Sequence, residues 1–291
     1  MKVVLLNPPF EFKVSRDSRW PEYTKSGTLY YPYWLAYATG VLMEQSNHEP
    51  LLIDAIANGW GFETTIKEIE KFDPGLVVIE TTTPTVINDM RFAERLKERI
   101  KAKICFVGTH VSVLAEETLR RCEAIDFIAR REYDYTIRDL ADSLEGKLPL
   151  KKVLGISFRK GKRLIHNPER PFVRNLDALP FVSKVYKKFL DIRKYRYALA
   201  RHPMVQIWSS RSCPYQCTFC VYPQTFSGRI YRMRSPQNFV EELEWIKENL
   251  PVKEVFIEDD TFTVNKKRVI KICRLIRERK LDIVWSCNAR A

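Results

Sequence analysis

The chain has 291 residues, a formal net charge of +13, and 45% hydrophobic residues. That length suits two domains of ordinary size with real cores, and no run of about 18 apolar residues occurs that could cross a membrane. The seven cysteines are odd in number, and three crowd into one short motif, which fits a reducing cytoplasm rather than a secreted disulfide framework. Cys105, Cys122, Cys273 and Cys287 lie singly in apolar segments and read as small core residues.

Residues 2–6 form a continuous apolar run, suited to a parallel strand buried on both faces. The run is too short for a signal-peptide core, and Asn7, Pro8 and Pro9 end it. A connection rich in aromatics follows over residues 10–31, with Phe10, Phe12, Trp20, Tyr23, Tyr30 and Tyr31. Long loops in compact domains are often functional. Hydrophobic periodicity then predicts helices over 33–45, 62–71, 88–101, 114–121 and 135–144, and strands over 51–53, 75–80, 103–107 and 125–129. Strand and helix alternate five times, which predicts a doubly wound parallel five-stranded sheet, Rossmann-like in class. In such sheets a ligand sits beyond the carboxyl ends of the strands. Polar residues and glycine fall at those ends: Asn7, Pro8, Thr82, Thr83, Gly108 and His110, with Glu132 after the fifth strand. Neither G-x-G-x-x-G nor a P-loop occurs, so a pyrophosphate-binding dinucleotide site lacks support.

Residues 153–159 and 163–167, joined by Lys160, Gly161 and Lys162, predict a β-hairpin. Residues 184–201 carry seven Lys or Arg against Asp191, with Tyr186, Tyr195 and Tyr197 interleaved. The segment reads as a solvated connecting helix, with a basic face for an anionic substrate or an RNA as the alternative. Residues 204–210 form a strand that opens directly into the three-cysteine motif, where a β/α barrel places its chemistry. Ser235 and Pro236 supply an N-cap and first turn for a helix running to about residue 249. A strand over 253–257 ends in Glu258, Asp259 and Asp260, and a helix over 265–280 and a strand over 282–286 follow. The expected organisation is a sheet domain over 1–148, a hairpin and basic linker over 149–203, and a second domain from 204 to 291.

Cys213, Cys217 and Cys220 stand with three and then two residues between them. Three thiolates this close suit three irons of a cubane cluster; a fully protein-bound [4Fe–4S] cluster needs four, and no fourth cysteine stands at matching spacing. A zinc site would ask for one more Cys or His nearby, and His202 is not at finger or ribbon spacing. A disulfide pair with a spare thiol is the other alternative. The run C-x3-C-x2-C, with Phe219 just before its last cysteine, resembles the signature of the radical SAM superfamily. The resemblance implies a [4Fe–4S] cluster whose open iron binds S-adenosylmethionine, with reductive cleavage to a 5′-deoxyadenosyl radical. It further implies an aromatic face from Phe219 for the adenine. The strand-end triplet Glu258-Asp259-Asp260 is similar to an Asp-Asp variant in this group, which assigns the SAM amino group to Asp260, with Asp259 as alternative. Arg229, Arg232 and Arg234 read either as neutralising cluster or substrate charge or as surface.

The first strand followed by Asn7-Pro8-Pro9, the Val-Gly-x-His-Val-Ser of residues 107–112, and the Arg-x-Glu-Tyr-Asp of residues 130–134 resemble the cobalamin-binding domain that precedes many radical SAM domains. The resemblance implies bound cobalamin contacted by Asn7, Pro8, Thr82, Thr83, Gly108, His110 and Glu132. Arg131 departs from the pattern, which has glycine there, and loses backbone freedom beside the expected corrin. Radical SAM domains of this kind have six β/α units, and three strands are present, so the chain reads as the first half of a partial barrel whose isolated form is poorly soluble or does not turn over. The implied activity is that of a cobalamin-dependent radical SAM enzyme, a cytoplasmic methyltransferase of an unactivated carbon in a small-molecule or natural-product-like substrate, reduced by flavodoxin or ferredoxin. An anaerobic oxidative cyclase, an RNA-modifying enzyme and a non-catalytic cofactor-binding fragment are the alternatives; a nucleic-acid partner is not favoured.

Overall fold

The computed structural model describes residues 1–18, 26–220 and 222–290; Trp20 and Tyr23 lie outside them. In chain order the regular elements of the first half are β1 (Lys2–Asn7), α1 (Tyr33–Gln45), β2 (Glu49–Asp54), α2 (Ala55–Asn58), α3 (Phe62–Phe72), β3 (Leu76–Glu80), α4 (Val86–Arg99), β4 (Lys103–Val107), α5 (Thr109–Val113), α6 (Ala115–Arg121), β5 (Phe127–Ala129), α7 (Asp134–Leu144), β6 (Ile156–Lys160) and β7 (Arg163–His166). The second half contains α8 (Val182–Phe189), β8 (Met204–Ile207), β9 (Ser210–Arg211), β10 (Arg232–Met233), α9 (Pro236–Asn249), β11 (Glu254–Ile257), α10 (Lys266–Glu278) and β12 (Trp285–Cys287).

The first five strands pair in parallel in the order β2-β1-β3-β4-β5, as the β/α alternation predicts. The hairpin β6–β7 does not stand in a linker. It adds antiparallel to β5 and extends the sheet to seven strands. Alternate residues of β1 face opposite cores: Val3 and Leu5 pack with α1 and α7, while Val4 and Leu6 pack with α3, α4 and α6. Both faces are covered, which is why these strands read as unbroken apolar runs. The predicted helix over 114–121 is α6, with a separate short α5 just before it, and the last strand starts three residues later than its pattern suggested.

Every residue of α1 from Tyr33 to Leu42 is buried. A helix enclosed on all sides needs no polar stripe. It lies between the seven-stranded sheet and the second half, and its core is continuous with Met204, Val205, Phe239, Leu243 and Val255. There β8, β11 and β12 form a parallel sheet in the order β12-β11-β8, with α9 and α10 packed together outside it. Ser18 and Tyr30 of the β1–α1 connection line one cavity with Glu258, Asp260 and Thr261 after β11.

Candidate active site

The three-cysteine loop leaves β8 through a tight corner. Asp259, 0% exposed, accepts hydrogen bonds from the backbone N–H groups of Ser209 (2.6 Å) and Ser210 (3.0 Å) and from both hydroxyls (2.5 Å each). Arg268 braces the same corner, donating to the Ser209 hydroxyl (3.1 Å) and carbonyl (2.7 Å). Ser212 then adopts φ 73°, a left-handed conformation that non-glycine residues take at a cost. Its hydroxyl donates to the Ser227 carbonyl (2.5 Å) and accepts from Arg232 (2.8 Å). This strained residue launches Cys213 away from the sheet.

Cys213, Cys217 and Cys220 are free thiols, partly exposed, and all three line one cavity of about 620 Å³. Phe219, 71% exposed, joins them there. From the end of β11 come Glu258, Asp260 and Thr261, whose hydroxyl lies 3.9 Å from the Cys213 sulfur. Among the described residues no three Cys, His, Asp or Glu side chains stand close enough to share one metal ion. A cubane takes its thiolates on separate irons, farther apart than the ligands of a single ion, so the donor set and its shared cavity fit a cluster. Cys105 and Cys122 are buried, and burial pushes both thiols up.

The structure separates the two candidate aspartates. Asp260 lines the cysteine cavity; Asp259 faces the β8–β9 corner with its oxygens taken up by four donors. Asp259→Asn is therefore expected to lower stability by about 1.5–3 kcal/mol, the scale of hydrogen bonds to a charged group. Urea unfolding of the variant against the wild type checks this. Glu258, the first residue of that strand-end triplet, also lines the cavity, although the resemblance assigned it no role. The three arginines after the cysteines serve the fold. Arg229 donates to the Tyr215 carbonyl (2.5 Å), Arg232 pairs with Glu132, and Arg234 pairs with Glu242 inside the core.

The residues predicted to meet a corrin divide into four groups. Asn7, Pro8 and Thr82 are buried. The Arg16 guanidinium bonds the Asn7 side chain (2.7 Å), the Pro8 carbonyl (2.9 Å) and Asp89 (2.7 Å). Gly108 has φ 112°, and a Cβ there would stand 2.3 Å from the Thr81 carbonyl oxygen, so glycine is required by backbone packing of β4 against β3. Thr83 and His110 are the two that meet at an accessible edge, hydroxyl to imidazole Nδ1 at 3.1 Å, and burial pushes the imidazole pKa down. Glu132 instead forms a two-pronged pair with Arg232 (2.6 and 2.8 Å) between the halves of the chain. Arg131 sits at φ 59°, so the backbone here does take the glycine-favoring form that its sequence position implied.

A family model of the B12 binding domain matches residues 23–141, and one of the Radical SAM superfamily matches residues 209–291. The chain belongs to the radical SAM proteins that carry a B12 binding domain. An uncharacterized methyltransferase of Pyrococcus horikoshii is 33% identical over 292 residues, covering all of this radical SAM chain and 60% of the relative. The anaerobic magnesium-protoporphyrin IX monomethyl ester cyclase of a Synechocystis strain is 28% identical over 294 residues, covering the whole chain and 56% of that protein. The chain thus spans somewhat over half the length of these curated relatives. Among solved structures, the cobalamin-dependent S-adenosylmethionine radical enzyme OxsB, with aqua-cobalamin and S-adenosylmethionine bound, superposes with a TM-score of 0.74 at 19% identity, over 98% of this chain and 38% of that one. This radical SAM chain shares its fold. No helix among the described residues is long and apolar enough to cross a membrane.

Proposed function

We propose that this protein is a cobalamin-dependent radical SAM methyltransferase acting on a small organic molecule in the cytoplasm. The observation that carries the reading is the meeting of Cys213, Cys217, Cys220 and Asp260 in one cavity at the carboxyl ends of β8 and β11. When bound, a [4Fe–4S] cluster would supply the electron that opens S-adenosylmethionine, and cobalamin would carry the methyl group to the substrate carbon. Cys213, Cys217 and Cys220 would hold such a cluster through their thiolates. Asp260 accepts hydrogen bonds from the ammonium group of S-adenosylmethionine, and Phe219 offers its ring to the adenine. Thr83 and His110 contact the corrin edge as polar partners. An electron donor such as flavodoxin or ferredoxin completes the system.

The test is anaerobic purification with cluster reconstitution, followed by metal analysis and assay of S-adenosylmethionine cleavage. About four irons per chain, corrin absorption and 5′-deoxyadenosine support the reading; zinc without iron overturns it. In the same preparation, His110→Ala is expected to weaken cobalamin retention by about 2- to 10-fold, the worth of one hydrogen bond, with iron content unchanged. Cobalt per chain after gel filtration measures it.

A second reading, an oxidative cyclase-type reaction on the same site, is favoured by the 28% identity that runs the length of the chain. Methylated against oxidised product distinguishes the two. The basic segment over 184–201 supports a connecting role rather than an RNA face. Its side chains are spread over separate partners: Lys184 on Glu44, Lys187 on Asn249, Arg193 on Asp191 and Lys194 on Asn58.

A further inference from the structure

Asp17, in the connection after β1, and Glu80, the last residue of β3, are both buried and hydrogen-bond to each other through their carboxyls. One oxygen on each, Asp17 Oδ1 and Glu80 Oε2, finds no donor in any other group among the described residues. Two ionised carboxylates cannot bond, and leaving both charged and unpaired in a dry site is costly. A single proton between them satisfies both oxygens at once. The other Asp17 oxygen accepts from the Trp34 backbone N–H (3.0 Å), and the Asp17 carbonyl accepts from the Tyr33 hydroxyl. The Trp34 indole N–H then donates to the Tyr222 hydroxyl (2.8 Å), which also lies 3.4 Å from the Tyr33 hydroxyl. Tyr222 stands two residues beyond Cys220 and lines the cysteine cavity, as does Ser18, the neighbour of Asp17.

We infer that Asp17 and Glu80 are positioning residues: a shared-proton carboxyl dyad that ties the end of β3, through the start of α1, to Tyr222 and the wall of the cysteine cavity. The dyad belongs to the protein itself and does not depend on what the cavity holds.

The surroundings set its direction of titration. Burial raises both carboxyls, and the charge of Glu80 raises Asp17 further, so the proton rests on Asp17. At Glu80 the hydrogen bond from Asp17, then Arg16 and the Tyr133 hydroxyl, favour the charged form, while Asp54, at the end of β2, raises it. Arg16 is itself engaged by Asp89 of α4, and Asp134 of α7 by Arg211. Burial keeps Tyr33, Tyr133 and Tyr222 protonated well past their ordinary range. No cation is therefore free among these groups to replace the proton. Because the dyad holds its proton above the ordinary carboxylate range, its bond is fully present on the acid side. It is lost as pH rises through the raised value, where the second carboxyl ionises and the pair repels.

Difference infrared spectroscopy of the full-length protein is expected to show the carbonyl stretch of a protonated carboxylic acid at neutral pH, absent in both E80Q and D17N. As that band titrates away on the alkaline side, amide exchange in residues 29–37 and 222–227, corrected for its intrinsic pH dependence, accelerates by about tenfold, the equivalent of one pKa unit of differential proton binding. In E80Q the amide donates to Asp17 without a titrating proton, so exchange there stays flat across the same range. Three results would overturn the inference: a wild-type spectrum with no protonated-carboxyl band at neutral pH, a band that titrates with no change in exchange, or an E80Q protein with the wild-type pH dependence. The first two need no variant, so the idea stays decidable even where a substituted chain fails to fold.

Discussion

Alanine in place of Cys217 is expected to leave the protein folded and unable to retain an iron–sulfur cluster. The side chain is half-exposed, lines the cavity rather than a core, and makes no disulfide. Changes away from packed or buried polar features shift stability by about 0.5 kcal/mol or less. The thiolate is nevertheless one of the three cysteine thiolates that line the cavity, and a cubane left with two of its cysteine ligands should be lost during purification. Iron per chain should fall from about four to near background, and S-adenosylmethionine cleavage with it; Cys213→Ala and Cys220→Ala should behave alike. Cys105→Ala is the control, because that buried thiol sits in the sheet and far from the motif in the fold: iron content should stay at the wild-type level. Anaerobic reconstitution with iron analysis and circular dichroism on all four variants measures both halves of the expectation.

The second large effect is expected at the junction of the two halves. Glu132 and Arg232 are almost fully buried, and Arg232 makes two short bonds to the carboxylate and further bonds to the Val173 and Ser227 carbonyls. Arg211 lies 3.6 Å from the same carboxylate, but both its terminal nitrogens already bond Asp134 (2.8 and 2.9 Å), and its guanidinium stacks on Trp34 and Tyr37. It cannot take over a second carboxylate. Arg232→Ala therefore strands a buried charge, which costs about 3–5 kcal/mol. Removing both charges with apolar residues of similar volume, as in Glu132→Leu with Arg232→Met, should recover much of that loss, since a buried pair is close to break-even against well-packed apolar side chains. Guanidinium unfolding of the single and double variants gives the coupling energy. Equal losses in the single and double variants would mean that packing, not charge, governs this junction.

Much of this was legible from residue order alone. Strands such as 76–80 and 103–107 are nearly continuous apolar runs between amphipathic helices, and a chain with that period has few ways to bury both faces other than a parallel sheet. The cysteine spacing was equally plain, because three thiols within eight residues must share one site wherever the loop goes. What failed to show was long-range pairing. The hairpin over 156–166 has the pattern of a free two-stranded unit, and its pairing with β5 depends on an edge that only the assembled sheet presents. Glu132 sits in a motif that suggested a cofactor contact, yet its partner stands 100 residues away in sequence. Arg16, Asp17 and Glu80 carried no periodic signal at all; two of them lie in an irregular connection, and the third ends a strand as an unremarkable acid.

The sequence by itself determined the alternation of strands and helices, the three-thiol motif and the strand ends where polar groups gather, since these follow from local period and spacing. Only the tertiary structure decided which of two adjacent aspartates faces the cavity. Successive side chains at the end of a strand point to opposite sides, and the β8–β9 corner claims Asp259 with four donors while Asp260 is left toward the thiols. The same holds for the buried charges: a carboxylate becomes a binding group, an ion-pair partner or a proton holder according to what the fold packs against it.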